Sequence, residues 1–364
     1  MKPVVCFYQD DVFIYSQNYN LFRCPPEKSI SDFLNEIEHS FKTDLKVVQV
    51  NFEYENQELF KHQKNLYPSD KCSVFILTQH EMLSTDKLLE KLRSHQSESA
   101  FEPPLLKSLE SQADYERKVH FIKEQIAQGR LYQVNLTAPL AGSTTANGAD
   151  IFSLYQNRFS APYAALLPLA EYDLISFSPE LFLKKTGTKL KTQPIKGSAS
   201  LEDPSAKDLI TSKKEEAELS MIVDLLRNDF NRIEEDHSAK VTSHRALLKL
   251  KYIQHTYSEI EIETSKGLAE ILEATAPGGS ISGCPKIESL NLIAELEPYR
   301  RQAYTGCLGW WAHNSFCLNL SIRSFMKYQD QLFYHSGGGI VYDSSPEKEW
   351  QEFLLKTGSL TTHE

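Results

Sequence analysis

Residues 163–193 read YAALLPLAEYDLISFSPELFLKKTGTKLKTQ. Four short apolar runs stand in this stretch: Tyr163 to Pro168, Leu174 to Phe177, Leu181 to Lys185 and Leu190 to Gln193. The last two turn at Thr186-Gly187, as a hairpin does, and antiparallel pairing is the natural reading of the set. Upstream, Leu131 to Pro139 is a further strand candidate. It follows a helix whose apolar positions Tyr115, Val119, Ile122 and Ile126 recur at helical spacing, with Asp114 as its expected N-cap and Gly129 as its left-handed C-terminal residue. Downstream, residues 205–227 carry helical periodicity through Leu209, Leu219, Ile222, Val223 and Leu226. Leu268 to Thr275 and Ile287 to Leu296 read as further helices. Ala303 to Tyr342 reads as a three-strand meander with breaks near Asn314 and Asp330, followed by a helix opened by Ser345-Pro346. Helices set between antiparallel strand groups, with no β-α-β alternation and no G-x-G-x-x-G loop, predict an α+β fold and argue against nicotinamide chemistry.

The first 100 residues alternate short β-like runs (Pro3 to Tyr8, Val12 to Tyr15, Val47 to Phe52, Cys72 to Leu77) with polar helical stretches, and end in a solvated segment, Ser94 to Ser99. They carry few chemical motifs; the texture changes at Ser111. With 41% hydrophobic residues in 364, the chain has apolar material for one large domain or two fused ones. Thirty-nine basic residues against 49 acidic ones give a net charge of −10, which offers no footing for nucleic acid or an anionic membrane. An acidic protein that takes an anionic substrate needs a local metal ion or arginine. The six cysteines form no C-x-x-C pair, which disfavours zinc or a disulfide framework. Asp10 and Asp11 interrupt the N-terminal apolar stretch, and no 18-residue apolar run follows. A soluble, cytoplasmic protein is the expectation.

Glu215 and Glu218 lie three apart in one helical stretch, and Glu349 and Glu352 three apart in another, so each pair shares a face. Two such faces meeting would make an oxygen-rich Mg²⁺ site; the same spacing also describes two solvated faces. Lys196, in Gln193-Pro194-Ile195-Lys196-Gly197-Ser198, stands either as a catalytic amine or as a surface lysine. Glu180, after Ser178-Pro179, is a candidate general acid or a strand-edge charge. Arg323, within the apolar strand Leu318 to Ser324, suits a bidentate clamp on a carboxylate or an internal salt bridge. Gly337-Gly338-Gly339 and the segment Pro277 to Gly283 allow backbone N–H groups to approach an anion, although neither is a Walker loop. His255 is a candidate for proton transfer or a structural histidine.

Taken together, these segments resemble the chorismate-binding domain shared by anthranilate synthase component I, aminodeoxychorismate synthase component I, and the isochorismate and salicylate synthases. The blocks that carry the resemblance are Tyr132-Gln133-Val134-Asn135-Leu136, Ser178-Pro179-Glu180, Met221 to Asp229, Pro277 to Lys286 and Gly339-Ile340-Val341, in the family's order over about residues 111–360. Gln133 stands where isochorismate and salicylate synthases carry the lysine that activates water, which argues against those activities. Lys196 lies in a Pro-Ile-Lys-Gly segment typical of aminodeoxychorismate synthases, where anthranilate synthases usually have alanine.

The resemblance implies an α+β fold of the anthranilate synthase component I type, with two interleaved halves, antiparallel sheets packed face to face and helices outside. Residues 1–100 would complete one half, and residues 111–360 would form the catalytic domain. It implies conversion of chorismate and ammonia to 4-amino-4-deoxychorismate, on the branch to p-aminobenzoate and folate. Lys196 would be the nucleophile and Glu180 the general acid, with His255 nearby. Arg323, Tyr304, Gln133 and the backbone of Gly283 and of a turn at Gly337, Gly338 and Gly339 would hold substrate. Mg²⁺ would sit on Glu218 and Glu352, with Glu215 and Glu349 acting partly through water. No cysteine stands in a nucleophile-elbow context, so a separate glutamine amidotransferase subunit is the expected ammonia source, and a separate pyridoxal-phosphate enzyme the expected lyase. The alternatives are anthranilate synthase component I and a catalytically silent homologue serving as a binding subunit. The chain departs from the family pattern at Leu219-Ser220, Phe230 and Phe353, and the motif of the regulatory tryptophan pocket is not placed, which favours an unregulated enzyme.

Overall fold

The computed structural model describes residues 2–9, 11–53, 58–97, 101–159, 161–200, 213–234, 238–249 and 253–357. The chain opens with strands β1 (Val4–Gln9) and β2 (Val12–Arg23), helix α1 (Ile30–Ser40), β3 (Lys46–Val50), β4 (Cys72–Ser84) and α2 (Thr85–Leu92). Next come β5 (Lys107–Ser108), α3 (Gln112–Ala127), β6 (Gln133–Ser143), α4 (Gly148–Phe159), β7 (Tyr163–Pro168) and β8 (Asp173–Ser178). The middle holds β9 (Leu181–Thr186), β10 (Lys189–Gln193), β11 (Ile195–Ser200), α5 (Lys213–Asn231), β12 (Lys240–Lys249), β13 (Ile253–Glu263) and α6 (Leu268–Thr275). The last part comprises α7 (Gly279–Ser282), β14 (Gly283–Cys284), α8 (Lys286–Leu296), β15 (Cys307–Ala312), β16 (Ser315–Leu320), β17 (Ser324–Tyr328), β18 (Gln331–Ile340) and α9 (Pro346–Thr357).

Every named strand pairing is antiparallel. One run of neighbours goes β13-β10-β9-β16-β15-β3-β4, and a second goes β1-β7-β8-β17-β18-β6. The long strand β2 pairs with both β4 and β1 and so joins the two. Side-chain alternation along β3 and β4 shows how the layers stack. Val48, Val50, Val74 and Ile76 enter a core with α1, α5 and α6, whereas Val47, Phe75 and Leu77 enter the core shared with the second sheet, α3, α4 and α9. The result is two antiparallel sheets face to face with helices outside, an α+β fold. The first 100 residues supply strands to both sheets.

Three local expectations are corrected. The N-cap of α3 is Ser111, whose hydroxyl accepts the N–H of Asp114; Asp114 sits in the first turn. Its far end is as expected, with Gly129 at φ 77°. The meander from Ala303 has four strands, because residues 321–323 interrupt it between β16 and β17. There Arg323 takes φ 50°, and its carbonyl accepts the N–H of Phe177 (3.0 Å), so it stands at a strand junction rather than inside a strand. Gly337, Gly338 and Gly339 lie within β18, opposite Thr137, Leu136 and Asn135 of β6, and form no turn. Glycine is required at 337 because a Cβ would come within 2.1 Å of the Leu136 carbonyl oxygen. Of the helix expected over 205–227, residues 205–212 lie outside the described residues; α5 accounts for the rest.

Candidate active site

Glu180 stands between β8 and β9, where both sheets come together. Its carbonyl accepts the N–H of Leu320 (3.1 Å), and its buried carboxyl accepts the Ser280 hydroxyl of α7 at 2.8 Å. Burial raises its pKa; the charges of Lys196 and Arg323 and the Ser280 hydrogen bond pull back in part. Glu180 is thus a carboxyl disposed to hold a proton, with two cations within electrostatic reach. Lys196, on β11, sits opposite Thr256, whose hydroxyl donates to the Lys196 carbonyl (2.6 Å). Among the described residues neither the Lys196 ammonium nor the Arg323 guanidinium has a hydrogen bond or ion pair. Desolvation lowers the Arg323 pKa, while Tyr334 and Glu180 favour its charge. An enclosed, uncommitted guanidinium is a ready partner for a carboxylate. His255 is buried on β13, one residue from Thr256 and opposite Ser198.

Tyr304 borders a cleft of about 380 Å³ lined also by Glu53, Ser282 and Arg301. Its ring stacks on His335 (centroids 5.0 Å, planes 13° apart), and burial raises its pKa. The segment that presents it is pinned by charge. Arg301 donates twice to Glu297 (2.6 and 2.8 Å) and to the carbonyls of Ile281 (2.8 Å) and Asn135 (2.6 Å). Glu297 in turn accepts the N–H and hydroxyl of Thr137 (2.9 and 3.0 Å). Glu53 accepts the N–H groups of Arg301 (2.7 Å) and Gln302 (2.9 Å), and burial pushes its pKa up to about 7 against those bonds. These residues were not singled out in the sequence. Their partners are up to 249 positions away, beyond any local pattern.

On the other flank, Gln133 opens β6 and pairs with Cys284, while Gly283 (φ 138°) pairs with Val134. A Cβ on Gly283 would fall 2.3 Å from the Gln133 carbonyl oxygen. The Gln133 amide occupies the space over Gly339, and among the described residues its buried Oε1 has no hydrogen-bond partner. Lys286 pairs with Asp229 at 2.7 Å, fastening α5 to the start of α8. Both residues fall in blocks that the sequence brought out, but without an assigned role.

Helix α9 begins at Pro346, a residue suited to the first helical position. It is anchored by Trp350 and Phe353, which stack on each other (4.9 Å) and meet the tilted ring of Tyr115 of α3 (5.4 and 5.5 Å). This docking sets Glu349 and Glu352 over Gly338. A Cβ there would lie 3.5 Å from Glu349 Oε2, 3.6 Å from Glu352 Oε1 and 3.5 Å from Lys356 Nζ. Lys356 donates to the Gly337 carbonyl (2.8 Å) and pairs with Glu352 (2.7 Å), so a cation already rests among these oxygens. Glu218 is half-buried on α5, two turns before Leu225 and on the same face; Leu225 packs on Gly279. The Glu215 side chain lies outside the described residues. Among the described residues, no three His, Cys, Asp or Glu side chains gather into one coordination set. The hard oxygen donors over Gly338, with space that a single Cβ would fill, fit Mg²⁺.

The architecture is that of the chorismate-utilising synthases. The crystal structure of anthranilate synthase component I from Streptococcus pneumoniae matches with a TM-score of 0.81 at 23% identity, covering 100% of this chain and 91% of that one. The model of the chorismate binding enzyme family matches residues 26–362, and the chain belongs to that family. It is 36% identical over 251 residues to aminodeoxychorismate synthase component 1 of Bacillus subtilis, covering 66% of this chain and 53% of that protein. It is 35% identical over 260 residues to an anthranilate synthase component 1 of Haloarcula marismortui, covering 69% and 52%. The chain spans about half the length of these curated relatives. Among the described residues no helix is long and apolar enough to cross a membrane.

Proposed function

We propose that this chain is the synthase component of 4-amino-4-deoxychorismate synthase, joining ammonia to chorismate at C4. The observation that carries the proposal is an amine without a hydrogen bond or ion pair among the described residues, Lys196, in electrostatic reach of a buried carboxyl, Glu180, whose pKa burial raises. The relatives include both aminating and anthranilate-forming enzymes, so the choice between them rests on Lys196.

In this mechanism neutral Lys196 attacks C2 of chorismate. Both ring double bonds shift, the C4–O bond breaks, and Glu180 donates the proton with which the hydroxyl leaves as water. Ammonia then adds at C4, the double bonds shift back, and the C2–N bond to Lys196 breaks. Glu180, now a carboxylate, takes up the proton released by the new amine. Arg323 and the Tyr304 hydroxyl hold the enolpyruvyl carboxylate. The orphaned Gln133 Oε1 accepts from a substrate hydroxyl. Glu349 and Glu352, with Glu218 and Glu215 of α5, would hold Mg²⁺, which would neutralise the ring carboxylate and draw charge from the diene. A glutamine amidotransferase subunit supplies ammonia, and the product feeds p-aminobenzoate and folate synthesis in the cytoplasm.

The test incubates purified protein with chorismate, Mg²⁺ and an ammonium salt at mildly alkaline pH, beside Lys196→Ala, and identifies products by mass and absorbance. Aminodeoxychorismate from the wild type alone supports the proposal. Release of anthranilate and pyruvate would replace it with the anthranilate synthase reading.

A further inference from the structure

Away from the cleft, at the far end of β9 from Glu180, a pocket of about 360 Å³ lies between α1, the start of α6 and the turn joining β15 to β16. Lys185 lines it. This lysine is only 3% exposed, yet its ammonium has no hydrogen bond or ion pair among the described residues. Lysine is almost never enclosed to this degree without a counter-charge. Burial lowers its pKa, and no carboxylate acts on it in the opposite sense.

The other charges of the pocket are accounted for. Glu38, half-buried, faces Lys46 at 3.7 Å, and the Lys46 ammonium also lies over the Trp311 ring at 4.8 Å. Lys266, at the rim, pairs with Glu270 (3.0 Å). His313 also lines the pocket. Among the described residues, Lys185 is the lining lysine without an ion pair. The first turn of α6 lines the same pocket through Gly267, Leu268 and Ala269, and Gly267 N–H is taken by Glu270 Oε2 (3.1 Å). The N–H groups of the first turn have no acceptor within a helix and carry the positive end of its dipole, so they too favour an anion.

We propose that this pocket binds the oxyanion head of a small molecule, a phosphate or a carboxylate, between the Lys185 ammonium and the N-terminus of α6. The Glu38 side of the pocket, with Asn35, would accept hydrogen bonds from hydroxyl groups on the rest of the ligand.

The test follows thermal unfolding of the full chain in inorganic phosphate, and separately in malonate, at fixed ionic strength maintained with potassium chloride. Wild type should show a saturable rise, roughly 2 °C at tenfold saturation. The rise should vanish in Lys185→Met and persist in Arg323→Met, which separates this pocket from the cleft. A response to phosphate alone assigns the site to phosphoryl groups, and one to malonate alone to carboxylates. Should Lys185→Met fail to fold, acetylation mapping of the wild type answers the same question: bound anion should slow labelling of Lys185 several-fold and leave Lys184 unchanged. Equal rises in wild type and Lys185→Met, a rise that never saturates, or labelling of Lys185 indifferent to both anions would overturn the proposal.

Discussion

Glu53 couples the stability of the cleft to pH. Its carboxyl is fully buried, receives two backbone N–H groups, and has a pKa of about 7 against an ordinary 4.5. Desolvation therefore outweighs both hydrogen bonds. Below pH 4.5 the folded and unfolded chains both carry the proton. Between 4.5 and 7 the folded chain keeps a proton that the unfolded chain has released, so stability falls as pH rises through that window. A difference of this size corresponds to about 3 kcal/mol, at 1.36 kcal/mol per unit. Glu53→Gln removes the titration; its NH2 cannot accept the backbone N–H that one carboxyl oxygen accepts, a cost that is the same at every pH. Urea unfolding of both proteins from pH 4 to 8 isolates the effect, because all other groups cancel in the difference. From pH 4 to pH 8 the wild type should lose about 3 kcal/mol relative to the variant. A difference flat across the range, or one in which the wild type gains on the variant as pH rises, would refute the reasoning: the two N–H groups would then outweigh burial.

Three further substitutions probe the framework. Arg301→Met leaves Glu297 buried without its bidentate partner and should cost about 3–5 kcal/mol in denaturant unfolding, whereas a loss under 1 kcal/mol would mean the pair is dispensable. Gly283→Ala combines φ 138° with a Cβ 2.3 Å from backbone oxygen and should lower stability by about 3 kcal/mol or more, with an altered circular dichroism melt as the readout. Gly338→Ala meets only ordinary contacts and should fold normally, yet raise the Mg²⁺ concentration for half-maximal activity roughly tenfold or more by filling the space facing Glu349 and Glu352.

Much of the fold was legible where periodicity is local. Helices α6, α8 and α9, the β9–β10 hairpin and the left-handed Gly129 follow from patterns within a few residues. Strands β2 and β4 run well past the apolar runs that announce them, because their polar stretches are held by pairing across the two strands, as in Asn18 with Gln79, Tyr15 with Glu81 and Asn20 with Ile76. Strand β13 went unmarked although Ser258, Ile260 and Ile262 alternate with Glu259, Glu261 and Glu263; that period of two was present in the sequence. At Arg323 the apolar run Leu318 to Ile322 concealed the strand break, since a positive φ at arginine is set by the junction of two sheets and not by local propensity. The candidate chemical residues were visible as types in blocks. The pinning of Tyr304 by Glu53 and Arg301 was not, because it depends on contacts between distant parts of the chain.

The central claim is that Lys196 becomes covalently bonded to the ring while Glu180 delivers the proton. Incubating the protein with chorismate and Mg²⁺ in the absence of ammonia, then quenching and measuring intact and peptide masses, tests it directly. The account predicts an adduct of the mass of chorismate less one water, mapped to Lys196, lost in Lys196→Ala and discharged by added ammonium. Turnover to aminodeoxychorismate that persists in Lys196→Ala, with no adduct on the wild type, would contradict it.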